Sequence, residues 1–233
     1  MKYALVTGAN RGIGRAFALE LLARGYFVFL ASRNENELEE FRNNDNIKIV
    51  KLDVSIDQDI ENLAENILQS TGRLDLLINN AGVNEFNGSE QYDLEELTRG
   101  GLQRFLDVNA ISPILIIKNL LPLLLKGDAT VANISSCRGS FHDEYEETEW
   151  NSRGYGYRSS KAALNMMNFC LATEFGDKLL TVAFHPGDVK TDMNPEGSDD
   201  PKENVQKMLD VLYGLDRKAT GSFLNFDGSV YPY

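Results

Sequence analysis

The sequence predicts an α/β fold, a doubly wound parallel sheet flanked by helices on both faces, in a single domain over residues 1–233. Three observations predict it. Short apolar runs alternate with helix-period segments along nearly the whole chain, and strands joined through helices run parallel. A glycine-rich turn follows the first apolar run and opens the first helical pattern. A length of 233 residues at 42% hydrophobic composition suits one generous α/β domain.

In chain order, a strand at Tyr3 to Val6 leads into a helix at Ile13 to Arg24, which Gly25 closes as a C-cap. A strand at Phe27 to Ala31 precedes a helix at Glu35 to Arg42, and a strand at Ile47 to Leu52 precedes a helix at Ile56 to Gln69. Strands at Leu74 to Ile78 and Thr130 to Ile134 flank a long helix at Leu102 to Leu125. A helix at Tyr157 to Phe175 and a strand at Leu179 to Phe184 complete the pattern. Ser140 to Gly154 and Met193 to Lys202 lack periodicity and read as surface loops, within substrate loops set at about residues 138–156 and 192–218.

A formal charge of −12 argues against nucleic acid or an anionic membrane as partner and leaves a small soluble ligand as the expectation. Cys137 and Cys170 are too few for a disulfide framework or a metal cage, which suits the cytoplasm. The most apolar stretch, Ile111 to Leu125, is broken by Lys118, Asn119 and Pro122 and reads as a buried helix rather than a span. His142 and His185 have no carboxylate or cysteine at metal-ligand spacing, and no Gly-x-Ser-x-Gly elbow is present, so no metal or hydrolase site is expected.

Two features carry chemistry. The turn Thr7-Gly8-Ala9-Asn10-Arg11-Gly12-Ile13-Gly14 has no side chain at three positions where a strand enters a helix, so backbone N–H groups can approach a pyrophosphate. Its Gly-x-x-x-Gly-x-Gly spacing departs from the Gly-x-Gly-x-x-Gly dinucleotide fingerprint. Tyr157 and Lys161 stand four residues apart on one helix face. A phenol ionises near pH 10, and an ammonium within about 4 to 6 Å favours its anion, so such a pair can exchange a proton with an alcohol or a carbonyl near neutral pH.

These motifs, together with Asn79-Asn80-Ala81-Gly82, Val108-Asn109, Asn133-Ile134-Ser135-Ser136 and Pro186-Gly187, occur in an order that resembles the short-chain dehydrogenase/reductase family over nearly the whole chain. The stretch around Tyr157 to Met166 resembles its carbonyl-reductase and C-factor-like branch. The resemblance implies a Rossmann-like domain in which Tyr157 is the general acid, Lys161 holds the ribose and acidifies Tyr157, Ser136 polarises the substrate carbonyl, and Asn109 holds a proton-relaying water. Ser135 could take the place of Ser136 in an alternative register; Gly139 follows Ser136 at the family spacing. For the cofactor, the resemblance implies Gly8, Asn10, Arg11, Gly12, Ile13 and Gly14 at the pyrophosphate turn, and Asn80, Ala81 and Gly82 beneath the adenine ribose. It also implies Asp53 and Val54 at the adenine, and Pro186, Gly187, Val189 and Thr191 along the nicotinamide.

At the second strand's end stand Ser32 and Arg33, where an NAD enzyme tends to place an acid. Arg33 would fork onto a 2′-phosphate, with Ser32 as a further donor and Arg11 as a second cation, so NADP(H) is the expected cofactor. His142, Tyr145 and Trp150 would line an apolar lid or pack into the scaffold. The acids Asp143, Glu144, Glu146, Glu147 and Glu149 disfavour an anionic substrate and point to a neutral ketone, aldehyde or quinone. Two other readings remain open: a nucleotide-binding sensor with little catalysis, and an alcohol dehydrogenase running oxidatively. Pairing of the two long helices, as homodimer or tetramer, is also expected.

Overall fold

The computed structural model describes residues 1–85, 93–142 and 154–233. Seven strands form one parallel sheet in the order β3-β2-β1-β4-β5-β6-β7. They are β1 Lys2–Thr7, β2 Tyr26–Ser32, β3 Ile47–Lys51, β4 Leu76–Asn79, β5 Thr130–Ile134, β6 Leu180–His185 and β7 Phe223–Asn225. Among the described residues the helices are α1 Gly12–Ala23, α2 Asp57–Leu68, α3 Arg99–Leu106, α4 Ser112–Gly127, α5 Tyr155–Phe175 and α6 Pro201–Gly214.

Strand residues alternate between two apolar cores, as a sheet covered on both faces requires. Ala4, Val6, Val28, Leu30, Ile78, Val182 and Phe184 pack with Phe17 and Leu21 of α1 and with Val205, Met208 and Leu209 of α6. Leu5, Phe29, Leu77 and Val131 face the other way, onto Ile60 and Leu63 of α2 and Ile116, Leu120 and Leu124 of α4. The winding reverses between β1 and β4, which opens a crevice above their C-terminal ends.

The sequence-based expectations need five corrections. The fourth strand spans Leu76–Asn79 rather than starting at Leu74, whose N–H bonds the Leu123 carbonyl outside the sheet. Glu35–Phe41 winds as a 3-10 helix; its two buried residues, Leu38 and Phe41, are three apart, the spacing such a helix stacks on one face. The long helix starts earlier, at Arg99, where Thr98 caps the Gly101 N–H at 3.0 Å, and a π-turn at Asp107–Ile111 divides it into α3 and α4. This run of 99–127 is long and apolar enough to cross a membrane by length and composition alone, but 56% of its apolar window is buried in the fold.

The fourth and fifth corrections are α6, expected as part of a loop, and β7, which is too short to read as a run. The signals for α6 were in the sequence: Asp200 accepts from the Lys202 and Glu203 N–H groups, Pro201 takes the first helical position, and Val205, Met208, Leu209 and Leu212 keep helical period.

Candidate functional site

The crevice is a cavity of about 520 Å³ that runs along the C-terminal edge of the sheet from Arg33 to Tyr157. At its middle lies the start of α1. Arg11, in the N-cap position, is extended, no side chain caps the helix, and its first turn holds no acid, so the first N–H groups remain available to an anion. Gly8 and Gly12 turn the chain at φ +65° and +52°. A Cβ on Gly14 would fall 2.1 Å from the Gly8 carbonyl oxygen, so only glycine lets the helix start there. Thr7 and Asn80 lock this turn onto the end of β4. Thr7 Oγ1 accepts from the Asn80 and Ala81 N–H groups at 3.0 Å each, and Asn80 Nδ2 donates to the Thr7 carbonyl at 2.9 Å.

At one end the cavity is lined by Ser32, Arg33, Asn34, Leu52, Asp53, Val54, Arg104 and Val108. Burial acts to raise the Asp53 carboxyl, but hydrogen bonds from Ser55 and the nearby Arg33 and Arg104 charges hold it below the ordinary range. Ser32 is buried, and its Oγ accepts the Asn34 N–H at 3.3 Å. Arg11 departs from the expectation of a second phosphate-facing cation. Its guanidinium crosses the cavity mouth to Asp192 at 2.9 Å and ties the glycine turn to the segment after β6. Asn84 Nδ2 makes a second tie, to the Met193 carbonyl, at 3.2 Å.

At the other end stand Tyr157 and Lys161, on the first two turns of α5. Lys161 is only 5% exposed; its Nζ lies 5.6 Å from the Tyr157 ring centre and donates to the Ile134 carbonyl at 2.8 Å. Burial, with no carboxylate partner among the described residues, pushes its pKa down to about 8. Gly82 passes close beside this pair: a Cβ there would stand 3.2 Å from Asn109 Oδ1 and 3.8 Å from Lys161 Nζ.

Asn109 sits behind the cavity wall in the π-turn. Its Oδ1 accepts the Val83 N–H at 2.8 Å, and its Nδ2 donates to the Val83 carbonyl at 2.8 Å and to Ser160 Oγ at 2.9 Å. Ser160 in turn donates to the Tyr157 carbonyl, so this amide clamps the β4 exit to the turn that carries Tyr157. Both polar ends of the side chain expected to hold a water are therefore engaged by protein.

Ser135 is buried, lines the cavity, and donates its hydroxyl to Asn165 Oδ1 at 2.7 Å, which removes it as a donor to substrate. Ser136 is half-buried and lies outside the lining; its Oγ accepts the Arg138 N–H at 3.2 Å as cap of a short 3-10 turn, Cys137–Gly139. Pro186 and Thr191 line the cavity, whereas Gly187, at φ +93°, and buried Val189 shape the segment behind them. That segment is bonded rather than loose. Asp188 accepts from Asn194 and Ser198, and Asp199 from Asn204 and the Asp188 N–H.

The cavity thus gathers Gly8, Asn10, Arg11, Gly12, Ile13, Ser32, Arg33, Asp53, Val54, Asn80, Ala81, Gly82, Tyr157, Lys161, Pro186 and Thr191 from the expected set. It leaves Gly14, Asn109, Ser136, Gly187 and Val189 around its wall. Arg104, Val108 and Met193 were missed; periodicity marks only their helix or loop, not its place beside the crevice. Tyr145, Trp150 and the acids at 143–149 lie outside the described residues. An uncapped helix start between a slot lined by Leu52, Asp53, Val54 and Val108 and a Tyr/Lys pair fits a dinucleotide.

The short chain dehydrogenase family profile matches residues 2–202. The NADPH-bound carbonyl reductase from chicken fatty liver superposes with a TM-score of 0.89 at 35% identity, covering 100% of this chain and 99% of that one. The carbonyl reductase Sniffer of Drosophila melanogaster gives 0.89 at 28% identity, covering 100% of each chain. The C-signal protein of Myxococcus xanthus is 33% identical over 166 residues, 70% of this chain and 95% of that protein. The chain belongs to the short-chain dehydrogenase family, and carbonyl reductases are among the members it resembles in structure.

Proposed function

We propose that this protein is an NADPH-dependent reductase of neutral ketones, aldehydes or quinones. The observation that carries the reading is Lys161, a cation buried with no carboxylate partner among the described residues, beside Tyr157 and at the end of a cavity that begins at an anion-seeking helix start. NADPH, when bound, supplies the hydride to the carbonyl carbon. Tyr157 donates its phenolic proton to the carbonyl oxygen, and the Lys161 charge stabilises the phenolate left behind. Ser136, whose hydroxyl proton is not drawn to Asn165 as that of Ser135 is, orients the carbonyl. Asn109 keeps the Tyr157 turn and the floor at Val83 in register. Of the substrate loops expected at about 138–156 and 192–218, Asp192 and Met193 line the cavity and border the substrate, and the chain works as a soluble cytoplasmic protein. The exposed Met166 and Phe169 of α5 offer a surface for self-pairing.

The NADP preference is supported by exposed Arg33 at the end of β2 and by the NADPH in the chicken enzyme's structure. The test is nicotinamide oxidation by NADPH and NADH over a panel of carbonyls, with Arg33→Ala beside the wild type. A charge-assisted bond of roughly 1.5–3 kcal/mol predicts an NADPH affinity about 10- to 100-fold weaker in Arg33→Ala, with NADH unchanged. A wild type that prefers NADH, or an Arg33→Ala that binds NADPH normally, would refute the preference.

A further inference from the structure

We infer that Arg104 closes the adenine subsite by laying its guanidinium against the base, and so contributes to NADPH and NADH binding alike. The inference rests on the dinucleotide reading of the cavity. With the pyrophosphate at the α1 start and the reactive ring at Tyr157, adenosine is left with the end lined by Leu52, Asp53, Val54 and Val108. Leu52, Val54 and Val108 are buried and apolar and form the kind of slot a flat base fills. Within that slot Ser55 occupies Asp53 Oδ1 and leaves Oδ2 for an exocyclic amine.

Two arginines stand at this end on opposite flanks. Arg33 belongs to the glycine-turn side, next to Asn34, whose neighbour Glu37 is bonded to both Asn34 and Asn10. Arg104 belongs to the α3–α4 side, one turn before Val108. Ser112 Oγ holds that helical run to the slot through the Val54 carbonyl at 2.5 Å. This position on the far flank, with its charge felt at Asp53, assigns Arg104 to the base and leaves the ribose 2′ position to Arg33. It is half-buried, and among the described residues it has no ion-pair partner, in a chain with 35 acids against 23 basic residues. A planar guanidinium stacks on an aromatic face, which an ammonium does poorly.

The test is the dissociation constant of NADPH, NADH and reduced nicotinamide mononucleotide, read by nicotinamide fluorescence, for the wild type, Arg104→Met, Arg104→Lys and Arg33→Ala. Met keeps the packing of the stem. Arg104→Met is expected to weaken NADPH and NADH by the same factor, about five- to tenfold, and Arg104→Lys to recover little of it. The mononucleotide, which has no adenine, is expected to bind as before. No change with either dinucleotide, or a loss confined to NADPH, overturns the assignment. A wild type that prefers NADH would remove the Arg33 reading while the Arg104 effect is still read on NADH. A wild type that binds neither dinucleotide overturns both.

Discussion

Lys161 is a charge kept from water with a backbone carbonyl, not a carboxylate, as its partner. A fall from 10.5 to about 8 corresponds to roughly 3 kcal/mol of lost stability while the group is protonated. The unfolded chain still binds this proton up to about 10.5, whereas the native state releases it near 8, so native stability rises with pH between the two values. Lys161→Met removes the buried charge and leaves the Ile134 carbonyl unpaired, a loss of about 1 kcal/mol. The cofactor-free variant should therefore be about 2 kcal/mol more stable at pH 7, a gain that vanishes above about pH 10, and it should lack turnover. Urea unfolding over a pH series checks this; equal stability at pH 7 would contradict it. The spacing of Tyr157 and Lys161 was legible in the sequence because helical geometry alone puts both on one face. The preference for Ser136 was legible through Gly139 at the family spacing; the bond that ties up the Ser135 hydroxyl was not, because it depends on Asn165, distant in sequence and brought near only by packing.

Among the elements, the π-turn at Asp107–Ile111 does most to position the site. One extra residue in the turn aims Asn109 at Val83 and Ser160, and such bulges recur where a helix must present a side chain. Asn109→Ala leaves the Val83 N–H and carbonyl and Ser160 Oγ without this partner. It should lower stability by about 2–3 kcal/mol and depress turnover by loosening the Tyr157 turn. Chemical denaturation measures the first effect, and a change under about 0.5 kcal/mol would show that water replaces the amide freely. Long amphipathic helices and core strands were readable because period and burial coincide there. The 3-10 winding of Glu35–Phe41, the three-residue β7 and the π-turn were not, since each is decided by what packs against it.

Over the whole molecule, acid is the expected route to unfolding. Burial pushes His185 down to about 4 although Asp199 and Asp188 pull it upward, and its ring meets Tyr231 edge-on at 5.4 Å. The native histidine stays neutral where the unfolded one protonates, so stability falls as pH drops from about 6.5 to 4, by roughly 3 kcal/mol. Hydrogen bonds hold the Asp188 and Asp227 carboxyls below their ordinary range, and protonating them extends the loss at lower pH. His185→Phe should flatten the curve between pH 6.5 and 4 and leave the steeper fall beneath it; an unchanged slope in thermal melts would exclude His185 as its source. The parallel sheet with helices on both faces was legible in the alternation of patterns. The order of the strands is a property of the folded chain, and it puts the site where the winding reverses.

The most direct test compares NADPH oxidation by the wild type and Tyr157→Phe with a ketone, an aldehyde and a quinone, at NADPH concentrations that saturate both. The account predicts turnover in the wild type and, in the variant, a loss of at least about 100-fold with NADPH affinity preserved, the scale of a missing general acid. Equal turnover in both proteins, or tight NADPH binding with no turnover in either, would contradict it.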